Sequence, residues 1–89
     1  MQRTFVEDEA FSRNKLLVEP CAVRFDEFIE GFQWIIQRDV EYGIHIRGDV
    51  RRANYQDPLD PSVLTTIYYC FDDETITLLD IAFITVEVE

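Results

Sequence analysis

Basic side chains are scarce in this sequence: eight Lys and Arg stand against eighteen Asp and Glu, a formal net charge of −10 over 89 residues. A molecule so acidic repels polyanions at long range, which disfavours unaided binding to nucleic acid, an affinity that comes largely from neutralising phosphates. Glycine and proline occur only three times each, so long flexible linkers are excluded and every instance is a strong local punctuation mark. The two cysteines, Cys21 and Cys70, have neither CxxC spacing nor neighbouring His or Cys, which argues against a zinc site and for two reduced, buried, small apolar residues. A single histidine, His45, leaves little for imidazole chemistry. Runs of eighteen or more apolar residues are missing, and the opening mixes Arg3 with Glu7, Asp8 and Glu9, so the sequence reads as cytoplasmic, without a membrane span or a leader.

What is there suffices for a core. Apolar residues make up 47% and aromatics 13% of the chain, enough to offset backbone ordering entropy, and 89 residues are too few to divide into two stable units. One domain over residues 1–89 is expected. Its charge suits either plain solubility or a basic protein partner.

Residues Arg3 to Val6 form a β-prone run, and the acids Glu7, Asp8 and Glu9 suit the start of a helix that Pro20 stops near Val18 or Glu19. The strongest periodicity follows. Phe25, Phe28, Ile29, Phe32, Ile35, Ile36 and Val40 fall in a stripe roughly 140° wide at about 100° per residue, which predicts a second helix capped by Asp26 and ended at Tyr42-Gly43. Trp34 lies on the opposite, polar face with Glu27, Glu30, Gln37 and Arg38. A large aromatic there is either an anchor for a partner protein or covered by another segment, for which the first helix is the nearest candidate.

From Ile44 the rhythm changes toward two, through Ile46 and then Val50 to Tyr55. Asp57 to Ser62 reads as a loop with two Asp-Pro signals. Val63 to Phe71 is β-branched and aromatic on both faces, as a central strand requires, and Asp72-Asp73-Glu74 turns the chain into an antiparallel partner from Thr75 to Ile84. The alternating tail, Thr85 to Glu89, extends that strand. The expected class is therefore α+β, with an N-terminal strand and a helical hairpin packed on a three- to four-stranded antiparallel sheet.

Phosphate-binding glycine loops, nucleophile elbows and HExxH pairs are not found. The one basic concentration is Arg47, Arg51 and Arg52, with His45 and Tyr55 close by. In an unbroken strand His45, Arg47 and Arg51 would share a face, although Gly48-Asp49 favours a bend. Such a group can grip phosphates while His45 moves a proton in RNA cleavage, or it is a set of solvated arginines paired with acids. Asp72 and Asp73 fit a turn better than paired acid–base work.

The opening Arg3 to Phe11 (RTFVEDEAF) and the closing hairpin Ile67 to Ile81 (IYYCFDDETITLLDI) resemble, in that order around a helical hairpin, the RelE/ParE toxin superfamily. The resemblance implies a bacterial type II toxin–antitoxin component, wrapped by a cognate antitoxin and acting as a ribosome-dependent messenger RNA endonuclease or as a gyrase inhibitor, with no cofactor. Arg51 and Arg52 are the matches to the family's basic strand positions, with His45 a further catalytic candidate and Arg47 a third anion-binding side chain. The sequence departs from the family at its tail, where Glu87-Val88-Glu89 stands in place of a catalytic Tyr, His or Arg, and in its acidity. The alternative implied is a module that keeps the fold and binds a protein partner, Trp34 foremost, without toxin chemistry. A homodimer is compatible with either.

Overall fold

The computed structural model describes residues 3–18, 25–56 and 63–85. Two helices and five strands follow one another as β1 (Thr4–Glu7), α1 (Glu9–Val18), α2 (Phe25–Arg38), β2 (Ile44–Arg47), β3 (Val50–Gln56), β4 (Val63–Phe71) and β5 (Thr75–Thr85). The strands make one sheet in the order β1-β5-β4-β3-β2. The α+β class holds, but the sheet is five-stranded and mixed: β1 runs parallel to β5, with Phe5 beside Ile76, while the other pairs are antiparallel. A parallel neighbour requires a long crossover, and here everything between β1 and β5 serves as one. That pairing has no local signal in the sequence.

The 72–74 turn forms as expected. Asp72 Oδ1 accepts the backbone N–H of Glu74 and of Thr75, each at 2.8 Å, so the turn residue replaces backbone bonds that the reversal leaves open. These bonds hold the Asp72 carboxyl below the usual carboxylate range. Leu79 is the extra residue of a bulge, since Tyr68 pairs with Asp80 and Tyr69 with Leu78. Asp80 sits beside this irregularity and accepts from Asn14 of α1 at 2.7 Å, tying helix to sheet.

Asp8 starts α1, its carbonyl accepting the Ser12 N–H at 3.0 Å, and Lys15 reaches back to Glu7 at 3.1 Å across an exposed surface. Phe11 of α1 and Phe32 and Ile36 of α2 join Ala53, Ile67, Tyr69, Ile76, Leu78 and Ile81 of the sheet in one buried cluster. Both helices therefore cover the same face. Alternation then assigns Arg52, Asn54, Thr66 and Tyr68 to the opposite face, where the Thr66 hydroxyl donates to Asn54 at 3.0 Å.

The second helix is shorter than its periodicity predicts, ending at Arg38 and not at Tyr42-Gly43. Val40 still packs against the core, so the apolar spacing continues through a turn that is no longer helical. Among the described glycines the left-handed conformation is found at Gly48, whose φ is 57°, and not at Gly43 after the helix. Asp26 lies inside the first turn of α2 rather than ahead of it. The expected loop from Asp57 to Ser62, Pro20 with Cys21, and the tail beyond Thr85 lie outside the described residues. No described helix is long and apolar enough to cross a membrane.

Candidate functional site

The basic residues that cluster in sequence lie on a tight hairpin of β2 and β3. Gly48 and Asp49 are its two-residue turn, with Arg47 opposite Val50 and His45 opposite Arg51. A two-residue hairpin favours a positive φ, which Gly48 supplies without the clash a Cβ brings. Ile46 is the extra residue of a second bulge, between His45 and Arg47. The expected common face of His45, Arg47 and Arg51 is therefore broken: the register sets Arg47 with Val50 and His45 with Arg51, two positions on opposite faces of β3.

Arg51 is committed to structure. It pairs with Tyr69 in the register, and its Nη1 donates to the carbonyls of Gly43 at 2.9 Å and Glu41 at 3.2 Å. These carbonyls belong to the turn that follows α2, which thus gains a charge-assisted anchor. The same guanidinium lies 6.0 Å from the Phe71 ring centre, and that of Arg3 lies 5.5 Å from it. Arg3 in turn donates from Nε to the Asp72 carbonyl at 2.6 Å and from its backbone to Gln37 at 2.9 Å, while the Gln37 amide donates back to the Arg3 carbonyl.

Tyr69 completes this anchor from inside. Its ring is fully buried, its hydroxyl donates to the Val40 carbonyl at 2.8 Å, and it accepts the Gly43 N–H at 2.8 Å. A Cβ at Gly43 would stand 2.8 Å from the Tyr69 ring and hydroxyl, so glycine is required there by a close approach. Burial pushes the Tyr69 pKa up, against the Gly43 hydrogen bond and the Arg51 charge, which lower it. Nothing in the sequence marks Tyr69 as the hub; only the register that sets Arg51 beside it does.

Arg52 pairs with Tyr68 and so faces away from Arg51. Its Nε is buried without a hydrogen-bond partner. His45 is exposed, its Nε2 donating to the Gly48 carbonyl across the hairpin turn. Arg47 is exposed on β2, the edge of the sheet. The hairpin thus brings His45 and Arg51 side by side but sends Arg52 to the other face, and it occupies His45 and Arg51 with backbone carbonyls.

Trp34 is 58% exposed on α2, so the first helix does not cover it. The Arg38 guanidinium stacks 3.8 Å from the centre of its ring, the cation–π geometry that spacing i, i+4 permits. Cys70 is free and half-buried, less enclosed than its composition-based reading, and burial pushes its thiol up, aided by the Asp49 carboxylate. Among the described residues no group of three or more His, Cys, Asp and Glu could hold a metal ion. Compared with protein-family models and with curated proteins, the chain matches none.

Proposed function

We propose that this chain is a RelE/ParE-like component of a toxin–antitoxin pair whose work is binding protein, through Trp34, and not cutting RNA. The reading draws support from the element order, a strand and two helices ahead of an antiparallel meander, with the first strand beside the last. One observation carries the choice of a binding role over a nuclease: Arg51 and Arg52, the matches to the family's basic strand positions, point to opposite faces of the sheet, and Arg51 is spent on the carbonyls of Glu41 and Gly43. A phosphoryl-transfer site needs such charges preorganised around one reacting group. A stacked, exposed Trp–Arg pair on a helix is, by contrast, the composition of an interface anchor.

Expression of the chain alone in a bacterium should leave growth unimpaired, and the product of an adjacent small gene should copurify with it. Trp34→Ala should weaken the protein contact made there, read as loss of a copurifying protein or of self-association, while leaving the thermal midpoint of dilute protein nearly unchanged. Growth arrest with messenger cleavage, lost in an Arg51→Ala, Arg52→Ala double variant, would identify a ribonuclease; filamentation with DNA damage would identify a gyrase poison. Either result would overturn the binding role.

A further inference from the structure

Gly31 has no explanation among the described residues. A glycine in the middle of a helix is less stable than alanine by about 1 kcal/mol, and at Gly31 a Cβ would meet no atom within 4 Å. Its φ is not in the left-handed region, since Gly48 is the positive-φ glycine among the described residues. Among the described residues, neither conformation nor packing calls for it. Gly31 is exposed, and so are Glu27, Trp34 and Arg38; their spacing of four, three and four residues confines them to an arc of about 60° on α2, at roughly 100° per residue. That is the spacing of a helix–helix seam.

We propose that this stripe is the interface of a two-fold homodimer in which α2 packs antiparallel against α2 of a second copy. A two-fold axis passing between Phe32 and Gln33 sets Trp34 against Gly31 of the second copy, and Arg38 against Glu27 of the second copy, twice each. The large ring enters the notch that the missing side chain leaves. Arg38, already stacked on its own Trp34, meets an opposite charge. Such self-complementarity, in which one stripe supplies both bump and hole and both signs of charge, is what an isologous contact demands. A partner of different sequence gives no reason for the glycine and the tryptophan to stand one turn apart on the same line. The proposal names the occupant of the Trp34 contact and rests on reading Trp34 as a contact residue, independently of the toxin–antitoxin kinship.

Light scattering on size-exclusion chromatography of the purified chain at about 0.1 mM tests it, a concentration suited to an interface at the small end of the stable range. Wild type should give twice the chain mass. Gly31→Leu should fill the notch and weaken association roughly tenfold or more, while on dilute protein its thermal midpoint stays level or rises. Glu27→Arg and Arg38→Glu should each weaken association, and combining them should restore it. A wild-type monomer, or a Gly31→Leu dimer as tight as wild type, would overturn the homodimer. If that monomer loses a copurifying protein on Trp34→Ala with its midpoint unchanged, self-association falls and the Trp34 contact stands. If, on protein dilute enough to be monomeric, Trp34→Ala lowers the midpoint by more than about 5 °C, Trp34 is a packing residue and both fall.

Discussion

Tyr69 shows how much one side chain decides in a small fold. Its ring meets Phe32 edge-on, with centres 6.1 Å apart, and its hydroxyl closes two hydrogen bonds on the turn after α2. Tyr69→Phe keeps the ring but leaves the Gly43 N–H and the Val40 carbonyl without that partner, and denaturant titration should show a loss of about 1–3 kcal/mol. The raised pKa adds a pH signature. A tyrosine harder to ionise when folded than when unfolded stabilises fully below its ordinary value of 10.0, and that contribution is lost as pH rises through the folded value. Stability measured from pH 9 upward should therefore fall as Tyr69 ionises, and Tyr69→Phe should remove that part of the fall. The neighbouring arginines differ in the same physical terms. Arg51→Ala frees two carbonyls and should cost about 1–2 kcal/mol, whereas Arg52→Ala removes a guanidinium whose Nε has no partner and should change stability by less than about 0.5 kcal/mol. Equal losses from the two would refute the separation of their roles.

Elements were legible where periodicity and packing agree. The β4–β5 hairpin was readable because dense β-branched and aromatic residues flank an acidic turn, and α2 because Phe32 and Ile36 recur at helical spacing. The end of α2 was not, since Val40 continues the apolar rhythm after the backbone has left the helix. The parallel seat of β1 was hidden as well, because its partners Thr75 to Leu78 lie at the far end of the sequence. At the basic cluster, sequence showed the residues but not the two-residue turn at Gly48 and Asp49, which with the bulge at Ile46 decides their faces. That turn gives a direct check: Gly48→Val puts a β-branched side chain at φ 57° and should destabilise by about 1–2 kcal/mol, seen as a lower thermal midpoint, whereas Gly48→Asn should be nearly neutral. Equal effects from valine and asparagine would show that φ is not the constraint.

For the whole molecule, the acidic charge and the arrangement of the few bases point the same way. A net charge of −10 opposes approach to ribosomal RNA, and the His45, Arg47, Arg51 and Arg52 group does not converge on one reacting centre. What α2 presents outward is instead a stacked aromatic and a glycine with open space above it. Composition disclosed the first half of this and helical spacing the exposed Trp34; the commitment of Arg51 to the Glu41 and Gly43 carbonyls needed the fold. The most direct test incubates the purified chain with translating ribosomes and maps the ends of the messenger. A protein-binding role predicts full-length messenger at every time sampled; cleavage that disappears in the Arg51→Ala, Arg52→Ala variant would contradict it.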